Sequence, residues 1–160
     1  MRVIPKQKFH PYTILASFFF FGFSPIAPGT AGTFAACILV YFIQGLNIYF
    51  YLGFTLLVFI VGTFAAYKLD EMTNTKDNGV IVIDEVLGLL ITMFLVPVTI
   101  VNLILAFFIF RFFDIVKLPP ASTIDKNMKN AWGVMLDDAA AGVYSCAFLH
   151  LSIYIIRHYI

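Results

Sequence analysis

Charge is what this sequence has least of. Only 12% of its 160 residues are Asp, Glu, Lys or Arg, about half of the roughly 25% found in an ordinary globular domain. The net charge is +1, which leaves neither the basic field that nucleic acid requires nor an acidic tail. Nucleic-acid binding is not expected. Cysteine is scarce too: Cys37 and Cys146 both sit inside apolar runs, with no CxxC or Cys/His spacing, so neither a disulfide framework nor a zinc site is implied. GxSxG, Walker and HExxH motifs are missing, and so are internal repeats and low-complexity linkers. The basic residues Arg2, Lys6 and Lys8 lead into a Phe cluster and a Pro/Gly loop rather than a small-residue cleavage site, so a retained N-terminus is expected. The whole of 1–160 reads as one domain.

What fills the chain instead is hydrocarbon: 61% hydrophobic residues, 19 of them Phe, and a mean hydropathy of +0.94. Apolar runs near the roughly 20 residues needed to cross a bilayer cover 34–43 (extended back to Ala31), 48–67, 80–96, 98–116 and 134–156. A further piece, 12–23, reads as a re-entrant or interfacial segment. The expected fold is all-α, a polytopic membrane helical bundle of four to five spans. The connections at Gly45 and Pro97 are uncharged, whereas the N-terminal arm and the loops 68–79 and 117–133 hold Arg2, Lys6, Lys8, Lys68, Lys76, Lys117, Lys126 and Lys129. By the positive-inside bias those face the cytoplasm, with Arg157 on the far side.

Carboxylates within spans cost about 2.5–3.5 kcal/mol each on insertion scales, so an apolar chain that keeps several is expected to use them. Asp84 and Glu85 open the third apolar run, Asp114 closes the fourth, and Asp137 and Asp138 open the fifth. In the topology above all lie at the cytoplasmic ends of their helices, with Asp77 just before. Acids at one depth repel unless something positive sits among them, and hard Mg²⁺-type ions, one or two, suit carboxylate oxygens and substrate phosphate. The alternative is helix capping and macrodipole compensation, with Asp114 merely paired to Arg111 one turn back. Doublets exceed what capping needs, which favours a metal set of Asp84, Glu85, Asp137 and Asp138.

Arg111, Asp114 and Lys117 follow at intervals of three on one helical stripe, where a guanidinium fork and an ammonium would receive a phosphate; snorkelling is the alternative for Lys117. The stretch SPIAPGTAGT at 24–33 leads into a helix, and its backbone amides around Gly29 with the hydroxyls of Ser24, Thr30 and Thr33 suit a phosphate or headgroup. A plain turn is the alternative. Gly88 and Gly142, each four residues after an acid, read as close-packing positions. His10, His150 and His158 carry no assigned chemistry.

Taken together, SPIAPGTAGT, KDNGVIVIDEVLG at 76–88, FRFFDIVKLPP at 110–120, DKN at 125–127 and GVMLDDAAAGV at 133–143 resemble the phosphatidylglycerophosphatase A family in order and spacing. The resemblance implies a bacterial inner-membrane, Mg²⁺-dependent phosphatase with its active site facing the cytoplasm, acting on the lipid phosphatidylglycerophosphate, and forming oligomers. It implies Asp77, Asp84, Glu85, Asp114, Asp137 and Asp138 as the acidic set, and Arg111 and Lys117 as basic partners. Local departures at Lys76-Asp77-Asn78-Gly79 and Lys117-Leu118-Pro119 touch loop shape without removing a carboxylate. The expected reaction is metal-assisted attack of water on phosphorus, with a phospho-aspartyl route through Asp77 or Asp114 as the alternative. Rival readings are another phosphomonoester lipid such as phosphatidic acid, a small transporter, and a non-catalytic scaffold.

Overall fold

The computed structural model describes residues 8–43, 45–76 and 78–159, so Arg2, Lys6 and Asp77 lie outside the described residues. The elements are all helical: α1 (Pro11–Ala16), a 3₁₀ turn (Phe21–Phe23), α2 (Pro28–Ile43), α3 (Ile48–Thr73), α4 (Ile83–Thr92), α5 (Ile100–Val116), α6 (Ala121–Asn127) and α7 (Ala131–Tyr159). Their ends follow from local chemistry. Pro28 starts α2 with its φ preset for a first turn. The side chains of Asn47 and Thr99 accept from the amides of Tyr49 and Asn102 at the starts of α3 and α5. Both helices stop on a left-handed residue, Asn74 and Lys117, whose amides bond back into the last turn. The expected N-terminal segment is broken after six helical residues, because Phe18, Phe19 and Phe20 all take positive φ.

The largest departure from expectation is the third apolar run. It yields only the ten-residue α4, about 15 Å long against a hydrocarbon core of about 30 Å. Eight of those ten residues are buried. Beyond Asp84 and Glu85 its apolar sequence reflects enclosure by the bundle: α4 packs on α7 and α2, with α3 and α5 alongside. A run so apolar beyond its first turn is expected of either a core or a membrane span, and sequence alone does not separate them. Among the described residues two helices are long and apolar enough to cross a membrane, α3 and most of α7; α2 and α5 stop at 16 and 17 residues. Those two long helices are not core helices, for only 17% and 22% of their most apolar stretches are buried. Large side chains such as Phe42, Phe50, Ile60, Phe108 and Leu151 stand exposed around the bundle, far more than a soluble monomer shows.

The two ends of the bundle differ in charge. At one, a cavity of about 380 Å³ joins Asp70 and Glu71 in the last turn of α3, and Thr75 and Lys76 after it, to Lys129 and Asn130 before α7, bringing the two charged segments side by side. At the other, Ile43, Leu46 and Ile48 share an apolar cavity with Met93, Val96 and Val98.

Inside, α4 and α7 approach as closely as backbones allow. A Cβ on Gly142 would lie 2.6 Å from the carbonyl oxygen of Gly88, and one on Gly88 would enter the fully buried ring of Phe110. Gly88→Ala is therefore expected to cost about 1–3 kcal/mol through overpacking, read as a lowered thermal midpoint in detergent. Gly53→Ala, in the interior of α3 with nothing within 4 Å, serves as the control: it adds helix propensity without a clash and should not lower the midpoint.

Candidate functional site

Close approach of α4 and α7 places acids where they would otherwise stay apart. Asp84 and Glu85 occupy the first turn of α4, and Asp138 lies two turns into α7. One carboxylate oxygen from each falls within 4.8 Å of the others. Asp84 and Asp138 are more than nine-tenths buried, and Asp84 Oδ1, Glu85 Oε2 and Asp138 Oδ2 have no hydrogen-bond partner. Buried carboxylate oxygens in that state are costly unless a cation or protons join them. Three hard oxygen donors from two helices, each with a spare buried lone pair, are the donor set that Mg²⁺ or a similar divalent ion takes.

Arg111 closes one side. Its Nη1 lies 2.7 Å from Asp114 Oδ2, three residues on in α5, and 3.8 Å from Glu85 Oε1. The simple pairing of Asp114 with Arg111 is thus present, and Asp114 also meets the Asp138 carboxyl directly and lies near enough to Asp84 and Glu85 to act on their charge. Gly29, in the first turn of α2, stands against both: a Cβ there would run into Glu85 Oε1 and lie 3.1 and 3.3 Å from the two terminal nitrogens of Arg111. The loop at 24–33 therefore does reach the acids, through the backbone at Gly29. Its hydroxyls divide. Thr33 is buried and donates to the Gly29 carbonyl, and Ser24 donates to the carbonyl of Ile26, so both shape the turn. Thr30 is exposed.

Asp137 and Lys117 belong to a second, adjoining group. Lys117 Nζ sits 2.5 Å from Asp137 Oδ2 and 3.0 Å from Asp125 Oδ1, with Lys129 3.5 Å from Asp125. Asp137 is thus held by Lys117 beside the three-acid cluster, near enough to act on the charge of Asp84 and Asp138, one residue from Asp138 but about 100° around the helix. In sequence Asp125 stands out only within the DKN block of the resemblance and as an acid four residues before a lysine, the pattern of a solvated pair. Desolvation pulls the Lys117 ammonium down, but its bonds to Asp137 and Asp125 win and hold it above the ordinary lysine range. The bond from Lys117 in turn holds Asp125 below the ordinary carboxylate range.

An all-helical bundle with a carboxylate centre between two helices, flanked by an arginine and a glycine-opened helix start, is the class of protein that fold and site define. The family model for Phosphatidylglycerophosphatase A matches residues 14–153, and the chain belongs to that family. It is similar to Phosphatidylglycerophosphatase A of Haemophilus influenzae, 37% identical over 138 residues and 85% of each chain. It is also similar to the Escherichia coli protein of that name, 32% identical over 160 residues, covering 94% of this chain and 93% of the relative. A Bacteroides thetaiotaomicron protein provisionally named phosphatidylinositol-3-phosphatase is 37% identical over 148 residues, 84% of this chain and 89% of that one. No solved structure matches.

Removing Lys117 would leave Asp137, whose side chain is 5% exposed, buried without its counter-charge. Lys117→Ala is expected to cost about 2 kcal/mol, below the ~3–5 of a fully buried pair because Lys117 keeps a third of its side chain in water. The pH dependence follows from the two shifts. Asp125, lowered in the fold, contributes above the ordinary carboxylate pKa and loses its contribution as pH falls through its lowered value; Lys117, raised, contributes until pH climbs through its raised value. Thermal melts of the native protein and Asp125→Asn should therefore differ at neutral pH and converge in acid.

Proposed function

We propose that this protein hydrolyses the terminal phosphate of phosphatidylglycerophosphate, leaving phosphatidylglycerol and inorganic phosphate. The observation that carries this reading is the buried cluster of Asp84, Glu85 and Asp138, with three unpartnered oxygens beside Arg111. It is supported by family membership and by the names of two relatives that align along most of their length. In this reading Asp84, Glu85 and Asp138 hold Mg²⁺, one ion or two. When bound, the ion supplies Lewis acidity at the phosphate and lowers the pKa of a water.

The remaining work belongs to the chain's own side chains. Arg111 has Nε without a partner and presents its guanidinium to the phosphate oxygens, where charge builds as the P–O ester bond breaks. Asp114 fixes the guanidinium plane. Since that carboxylate is engaged by Arg111, direct attack by water is favoured over a phospho-aspartyl intermediate at Asp114. Asp77 stays the other candidate nucleophile. Gly29 keeps the start of α2 free of side chain, so its backbone and the Thr30 hydroxyl can approach the phosphate. Lys117 and Asp137 set the position of α7 behind Asp138 rather than touching the substrate.

The protein is placed by this reading in a bacterial inner membrane, crossed by the bundle several times and entered by substrate from the lipid phase. The lysine-rich loops put the acid end in the cytoplasm, and self-association is proposed with it. A second reading is favoured by one observation: a relative as similar as the Haemophilus influenzae one bears the name of an inositol-lipid phosphatase. Other phosphomonoester lipids, phosphatidic acid among them, are therefore the substrates to set beside the first.

Purified protein in detergent should release phosphate from phosphatidylglycerophosphate with Mg²⁺ and stop when the ion is chelated. Asp84→Asn and Asp138→Asn should each lose about 10²-fold or more in kcat while melting no lower than the native protein without Mg²⁺. Unchanged rates in both variants would remove the three-acid site. Faster turnover of phosphatidic acid or an inositol-lipid phosphate would reassign the substrate. Phosphate trapped covalently on the protein during turnover would overturn direct water attack.

A further inference from the structure

Between α2 and α5 runs an open apolar groove of about 280 Å³, walled by Phe34 and Cys37 on one side and Leu103, Ile104, Phe107 and Phe108 on the other. The two walls are not independent of the site. On α5, Ile104, Phe107, Phe108 and Arg111 recur at the spacing of one helical face, and on α2 so do Thr30, Phe34 and Cys37. Each wall therefore ends, about one turn away, in a residue at the acid cluster: Arg111 on α5, and the Gly29-Thr30 start of α2. The helices run in opposite senses here, with Cys37 reaching the Leu103 carbonyl at 4.0 Å deep in the groove.

We infer that this groove holds one acyl chain of the lipid whose phosphate is bound at the cluster, so that chain and phosphate are gripped by the same two helices. The inference rests on the proposed lipid phosphatase reading. Its volume falls just below the range of cavities that enclose a whole small ligand, which suits a single chain and not a diacyl lipid. The lining offers no polar side chain, so it recognises hydrocarbon and leaves headgroup choice to the cluster. The larger apolar cavity between α3, α4 and α7 is separated from Arg111 by the Gly88–Gly142 contact and makes no such continuation.

The test uses phosphatidic acid carrying a diazirine midway along one chain, photolysed with the full-length protein and Mg²⁺ in micelles, with phosphate release from phosphatidylglycerophosphate measured on the same preparation. Label should concentrate on the peptides containing 34–37 and 103–108, and unlabelled phosphatidic acid should compete where diacylglycerol of the same chains does not. Ile104→Trp, which fills the groove, should abolish that label and raise KM for the long-chain substrate about tenfold. The same variant should leave hydrolysis of the deacylated headgroup within about twofold of native, a difference too small to matter against that tenfold change. Label spread over α3 and α7, or equal competition by diacylglycerol, would overturn the groove. So would an Ile104→Trp variant that merely dissociates an oligomer, which would make the groove an interface between copies. Groove labelling by a protein that releases no phosphate would sink the phosphatase reading alone, and release without groove labelling would sink the groove alone.

Discussion

Three carboxylates held together away from water set the terms for the rest of this fold. Asp84, Glu85 and Asp138 cannot all be charged and unpaired at such separations, so their burial makes sense only with a positive partner. Arg111 is near enough to offset part of that charge but is drawn mainly to Asp114. The surroundings answer the same demand. The N-terminus of α4, the positive end of its dipole, carries two of the acids, and a third is delivered by α7 only because Gly88 and Gly142 let the helices touch backbone to backbone.

The bundle's architecture follows from having to bury that centre in an apolar envelope. A short, enclosed α4 carries acids into the interior, while the long α3 and α7 turn most of their surface outward. Charged loops gather at the end from which the acids are reached, and the opposite end holds a cavity lined largely by aliphatic side chains. In this arrangement polarity falls off along the bundle axis, so a molecule with one charged end and one hydrocarbon end has a single favourable orientation.

Much of this was written in local sequence. Asp84, Glu85 and Asp138, the Pro28-Gly29 helix start and the two glycines four residues beyond acids all come together in the fold, whereas Asp137 is drawn to Lys117. Other features depend on packing that no local pattern encodes. An apolar run is equally apolar in a core or in lipid, so α4 read as a full span. Asp137 and Asp138 are adjacent in sequence, and only the positions of α5 and α6 decide that one meets Lys117 while the other meets Asp84. Asp125 gains its role from the fold alone, as the second carboxylate on Lys117. Asn78 is similar: a residue in an Asn-Gly turn, it is buried and tied to the hydroxyls of Thr73 and Thr75, anchoring the chain that leads into α4.

The neighbouring placement of Asp137 and Asp138 makes α7 an axle with two spokes. One spoke enters the acid cluster, and the other is fastened through Lys117 to the end of α5 and to Asp125 in the last turn of α6. Any rotation of α7 that moves Asp138 must drag on that fastening, and any disturbance of the loop after α5 must turn Asp138. Tyr144, two turns further along α7, adds a second attachment by donating to the carbonyl of Pro119. The interior charge and the outermost loop are thereby one mechanical unit, so the dimensions of the centre are set partly at the water-facing surface.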